Sequence, residues 1–441
     1  MSNSFSPLTA LSDYLDDARS AGAKAAEFAC VASSGHRVEV RSGRVTHAGA
    51  PQNIRVHGRL YLPDGRAASF SVDSDDRQRV AGRIKDAAKR AAAAAPDPLA
   101  GPVDRYNITT RGLGTDDVRY PNISLEDREE VALINEEACA AIEGVVPMSC
   151  SYEDRRTVRA YASTRGIQAE SGSTFYEVKL QASCGDRTLS HTASARNFAN
   201  VGSLPFGVDL GRRLVALNGS EAIPSVSLPS TDLPMVMDSR VMAWIIERIG
   251  PAFSQQTVAA GKTFVANNIG ARIASPKVHL MDDAGLHGGL RTHAFDDRGV
   301  PPIALPVIRE GLQAGLYYDP EAARAAGVRP TGHVINNELR PGNLILLAGN
   351  RSRTQMLSEV PSSICFDHVE GNLNLRTGKL DVSGPAFLLE KGRRVGVIES
   401  VRLKTDVITL LSGVQEVASD QERFEAVDCA TALIVGVPLF G

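Results

Sequence analysis

The turn Pro63-Asp64-Gly65-Arg66 does most to restrict the folds open to this chain. It lies between two runs of β-forming residues, Ile54 to Leu62 and Ala67 to Val72, which makes an antiparallel hairpin the natural reading. Helical periodicity brackets the hairpin on both sides. Leu8 to Ala21 reads as an amphipathic helix ending at Gly22, and Asp75 to Ala95 as a long helix rich in Ala, Arg and Lys that stops at Pro96. Strand-like segments, Ala21 to Ser33 and His36 to Arg41, fill the interval. Helix, antiparallel strands, helix is the order of an α+β layer and not of a doubly wound sheet.

The same grammar continues. Pro96 to Pro121 holds four prolines and little periodicity, so it reads as an extended connection. Ser124 can cap a helix running through Ile142, with Glu126, Asp127, Glu129 and Glu130 near its positive end. Alternating runs between Val146 and Ala195, such as Thr157 to Ala162 and Tyr176 to Ala182, read as an antiparallel meander. A short helix, Leu210 to Leu217, leads into Ser220 to Pro234, whose three prolines mark a domain boundary. Past it, Ser239 to Ile249 is helical and Gly250-Pro251 ends it, after which strands and turns dominate. The expectation is a two-domain α+β protein. Residues 1–220 form an N-terminal domain of antiparallel strands and long helices, and residues 234–441 a mainly β C-terminal domain.

Chemistry-bearing residues concentrate between Leu286 and His333, which holds His287, His293, His333 and the Asp296-Asp297 pair. Pro306 to Ile308 and Leu312 to Tyr318 look like two short strands around Arg309-Glu310-Gly311. Asp319 can cap a helix that starts at Pro320 and exits through Gly327.

Composition excludes several classes of function. With 43% hydrophobic residues the chain can fill real cores. Its 48 basic and 51 acidic residues give a net charge of -3 with no long single-sign run, so nothing offers the basic stripe that binding nucleic acid requires. No segment approaches the roughly 18 consecutive apolar residues of a membrane span. The N-terminus has neither the basic start nor the apolar run of a secretory signal, and six scattered cysteines fit reduced thiols in a cytoplasm.

The order of these signals resembles the TldD/PmbA family. Its C-terminal domain carries a Phe-Asp-x-x-Gly turn, an apolar strand, a Gly-containing turn, a second strand, an Ala-rich helix ending in Gly, and a Thr-Gly-Asn or Thr-Gly-His step. Here these are Phe295 to Gly299, Ile308, Gly311, Leu312 to Tyr318, Glu321 to Gly327, and Thr331-Gly332-His333. The N-terminal part is similar too, in Ala18 to Glu27, Arg37 to Val45, Gly58 to Ser69 and Ile84 to Pro98. The resemblance implies a zinc peptidase system in which catalytic members carry an HExxxH helix early in the C-terminal domain. A second kind of member, the TldE or PmbA type, lacks that motif and pairs with a catalytic chain.

In this chain the corresponding helix is Val241 to Pro251, which keeps Glu247 but has no histidine. No two of the nine histidines lie three to five residues apart, so no single helix can present a zincin-like pair. The resemblance therefore implies a non-catalytic TldE/PmbA-like subunit, without a cofactor of its own, in a heterodimer whose TldD-like partner holds zinc and cleaves unfolded or modified peptides. Extended peptides are commonly held by strand addition, which a β-rich C-terminal domain suits.

No residue is assigned a catalytic role, while His293, Asp297 and His333 are candidates for substrate or interface contact. Cys429 falls near a thiolate ligand of catalytic members, although a free cysteine is more often a packing residue. Loop histidines with Asp297 could assemble a metal site, but Arg298 stands where the family turn usually has an acid, which weakens cation binding there. The rival reading is a self-sufficient hydrolase using Cys429 or Cys365 with a loop histidine. A DNA-associated regulator, suggested only by an old family label, conflicts with the acidic balance. Ala260 to Thr263 lacks the first glycine of a phosphate loop, and Gly112-Leu113-Gly114 lacks the third of a dinucleotide fingerprint, so both are loops.

Overall fold

A computed structural model describes residues 6–202, 206–218, 223–266 and 268–441. The fold is α+β with two domains. The N-terminal part is built on a seven-stranded antiparallel sheet ordered Ala67–Val72, Gln52–Tyr61, Ala25–Arg41, Val146–Ser163, Gln168–Cys184 and Arg187–Ala195, with Arg44–Gly49 added beside Ala25–Arg41. The Pro-Asp-Gly hairpin forms as expected, with Tyr61 opposite Ala67. Helices Pro7–Ser20 and Arg77–Ala93 lay Leu11, Tyr14, Val80 and Ile84 against Phe28, Val56 and Leu60 of the sheet. The second begins where the Asp76 carboxylate accepts from Arg79 N at 2.7 Å. Ser124 opens Leu125–Ala140 with a reciprocal capping box to Asp127.

The segments read as separate strands merge. Ala25–Arg41 is one 17-residue strand passing straight through Gly35. A side chain there would collide with the Asp154 carbonyl oxygen, 2.0 Å from an ideal Cβ, so glycine serves close strand approach and not a turn. The second strand expected at Leu312 to Tyr318 is shorter, its ladder covering Leu312–Gln313, with a single bridge from Tyr317 to Ser254 beyond it.

The C-terminal part holds a six-stranded sheet and an eight-stranded sheet. Helix Ser239–Ile249 is capped by the Asp238 side chain on Val241 N and buries Val241, Met242, Ile245, Ile246 and Ile249 among residues from both sheets. Helix Pro320–Ala326 forms as expected, with Asp319 capping Ala322 N and Gly327 in the left-handed region at φ 67°. The two parts share apolar contacts. Tyr152, Tyr176, Leu210 and Leu214 belong to one continuous core with Val236, Phe387, Leu389 and Val397.

Candidate functional site: an arginine-rich cleft between the domains

A cleft of about 820 Å³ opens between the two domains. Its floor is one face of the long N-terminal hairpin. Residues two apart on a strand share a face, so Arg155, Thr157 and Arg159 point the same way. Their register partners Phe175, Ser173 and Ser171 extend that surface across the neighbouring strand. Leu290 to Ala294 and Ile335 with Glu338 to Pro341 form the opposite wall, and Glu247, Pro251, Ser254, Gln256 and Thr257 close one side. Arg155 to Arg159 are paired on both sides, whereas Ser171 to Phe175 pair with one neighbouring strand only, and Thr174 N donates on the other side to the Thr115 carbonyl. Strand addition needs a free edge, which the stretch from Arg155 to Arg159 does not offer. The ribbon Val334–Ile335/Glu338–Leu339 in the wall pairs with no other strand among the described residues.

Glu247 faces the cleft from the helix that the resemblance singled out, but it forms an ion pair with Arg291. His293 also lines the cleft, its Nδ1 3.0 Å from the Arg291 carbonyl and its Nε2 2.9 Å from that of Gly332. Burial, together with the charge of Arg159, pushes its pKa down to about 4, against the two carbonyls that favour the proton. Asp297 lies beside the floor in an ion pair with Arg159 and accepts from Asn337 N at 3.3 Å.

His333, the third candidate for substrate or interface contact, lies outside the cleft lining. Its side chain is fully buried, stacked on Tyr317 and 3.2 Å from Asp282 Oδ1. His287 is exposed against Gly114, outside the cleft lining. Asp296 makes the Phe-Asp-x-x-Gly turn by accepting from Arg298 N, Val300 N and Val334 N, while burial raises its pKa to about 6. Arg298 is not a spoiled cation ligand but a clamp, donating to Glu27 and Tyr61 of the N-terminal sheet and to Glu321.

The two thiols also fall away as nucleophiles. Cys429 is completely buried on Val427–Cys429, and burial raises its pKa. Cys365 sits within Ser362–Phe366, its pKa pushed up to about 12 by burial, with Sγ 3.5 Å from Arg353 Nη2. A working thiol must be ionised and reachable, and neither is. His368 turns to Asp367 at 3.2 Å.

The floor hydroxyls and arginines carry no local sequence signature. Their alternation reads as a half-buried strand, and only the fold brings residues 155, 196, 247, 293 and 340 to one cavity.

Comparison with known proteins places this architecture. Residues 230–440 match the PmbA/TldA metallopeptidase C-terminal domain, and the chain is a member of the TldD/PmbA family of metallopeptidase-like proteins. Among its relatives, Metalloprotease PmbA of Escherichia coli O157:H7 is 20% identical over 426 residues, 94% of this chain and 92% of that one. A metalloprotease of Methanothermobacter thermautotrophicus is 23% identical over 303 residues, 64% of each chain. TldE from Thermococcus kodakarensis superposes with a TM-score of 0.84 at 19% identity, covering 98% of this chain and 100% of that one. A Thermotoga maritima protein described as a modulator of a DNA gyrase gives 0.86 at 20%, covering 98% and 99%.

A zinc ion does not fit here. Among the described residues no three His, Cys, Asp or Glu side chains converge as ligands. The acid on the relevant helix is neutralised by Arg291, and Cys429 is buried with a raised pKa. No helix among the described residues is long and apolar enough to cross a membrane.

Proposed function

We propose that this protein is the non-catalytic, TldE/PmbA-type subunit of a TldD/TldE-type zinc protease, and that its cleft helps hold the unfolded or modified peptide cleaved by a TldD-like partner. The observation that carries this reading is the Glu247–Arg291 pair. On the helix where catalytic relatives need two imidazoles and a free glutamate, this chain offers one carboxylate bound to a guanidinium. Such a carboxylate cannot serve as a general base while its charge is engaged. The cleft beside it is large enough for several residues of an extended peptide and is lined by hydroxyls, carbonyls and charges suited to a polar backbone. A DNA-associated role has no comparable support, since the arginines line a cleft between the domains, three of them paired with carboxylates, and the net charge is -3.

Co-expression with a TldD-like protein tests the proposal. A stable complex should cleave unstructured peptides, while this chain alone should not. Glu247→Gln here should keep the activity of the complex within a few-fold. Replacing the partner's HExxxH glutamate should cost about 10²–10⁴ in rate, the usual range for loss of a general base. Peptidase activity of the isolated chain, abolished by Cys429→Ala, would overturn the assignment.

A further inference from the structure

The cleft arginines are not equivalent. Arg159, Arg291 and Arg340 each have a carboxylate partner, respectively Asp297, Glu247 and Glu338. Arg155 and Arg196 have none at ion-pair distance among the described residues. Arg196 is spent on backbone oxygens, donating to Gly289 O at 3.1 Å, Thr174 O at 2.8 Å and the carbonyl of Leu290. Arg155 lies over the Phe175 ring at 5.2 Å, one residue along from the Thr174 carbonyl that anchors Arg196.

Two guanidiniums therefore share one corner of the floor without a counter-charge. Burial, and next the charge of Arg155, bring the Arg196 pKa down to about 10, the electrostatic mark of that crowding. Carbonyl oxygens satisfy donors but do not cancel charge. Thr157 and Ser173, paired in register beside this corner, add hydroxyl donors.

We propose that the corner formed by Arg155, Arg196, Thr157 and Ser173 is a carboxylate subsite that selects peptides carrying an acidic group. The inference deepens the peptide-holding role and rests on it. A carboxylate has two oxygens for the planar fork of Arg155, and Arg196 behind it supplies field without having to move. Phe175 lies under the Arg155 guanidinium, a contact that favours the cation at this place. The carboxylate has two possible sources in a peptide, an Asp or Glu side chain or the C-terminus.

The test is fluorescence anisotropy with three labelled unstructured peptides and the full chain. One has acidic side chains and an amidated C-terminus, one a free C-terminal carboxylate and no acid, and one is amidated without acid. Either of the first two should bind about tenfold or more tighter than the third, the scale of one charge-assisted contact, and which one does names the source. Arg155→Gln should reduce that preference to near unity, and Arg155→Glu should reverse it. Arg155 is exposed, so these variants should melt as the parent does. Equal binding of all three peptides, or a preference that survives Arg155→Gln, overturns the subsite. Failure of the complex to cleave peptides would instead remove the subunit role and leave the measured preference standing.

Discussion

Arg298 carries a charge where water cannot reach it, and its neighbours explain how. The side chain meets Glu27 at 2.7 Å, and Tyr61 and Tyr161 donate to the same carboxylate at 2.6 and 2.7 Å. Removing the cation alone leaves Glu27, 3% exposed, without a counter-charge. Arg298→Met should therefore destabilise the protein by about 3–5 kcal/mol in denaturant unfolding, and adding Glu27→Gln should restore part of the loss. A loss under about 1 kcal/mol would mean that the tyrosines alone stabilise the carboxylate. His293 makes a separate prediction about pH. Its folded pKa of about 4 lies below the ordinary value near 6.5, so between these limits only the unfolded chain gains the proton. Its contribution is present above about pH 6.5 and is lost as pH falls toward 4. Asp296 acts in the opposite sense, because its folded pKa of about 6 lies above the ordinary carboxylate value near 3.9. His293→Gln should thus narrow its stability gap to the parent by up to about 2 kcal/mol between pH 7 and pH 5, measured by paired urea titrations.

At the scale of elements, the long floor strands depend on positions that admit no side chain. Gly35→Ala should destabilise by about 2 kcal/mol or more, since the Asp154 carbonyl stands where the methyl would go. Thermal melting reads this, and an unchanged midpoint would show that the strand can bend away. The same glycine explains a limit of reading the chain. Ser33-Ser34-Gly35 has turn composition, so one strand looked like two, and only its neighbour's backbone reveals why glycine is there. Helices were legible because their signals are local: Asp76, Ser124, Asp238 and Asp319 all cap the helices they precede. The site was less so. Histidines drew notice by residue type, yet His333 is packed against Tyr317, while Arg155 and Arg196 acquire meaning only from the register of distant strands.

For the whole molecule, the core shared by Leu210, Leu214 and Tyr176 with Val236, Phe387 and Val397 makes the two parts interdependent. Calorimetry should show a single main transition, and two well-separated peaks would contradict the coupling. The cleft itself is asymmetric in its construction. Its floor belongs to long strands, bonded on both sides along residues 155–159 and on one side along 171–175, while its opposite wall is loop from Leu290 to Ala294 and a two-stranded ribbon of four paired residues. Local opening is cheap where backbone bonds are few and costly where ladders are long. Hydrogen exchange should accordingly find amides of residues 155–159 among the slowest in the chain and those of 335–341 among the fastest of the cleft. A guest entering this space would meet a fixed template on one side and a yielding one on the other, so admission is decided by the loops and register by the sheet.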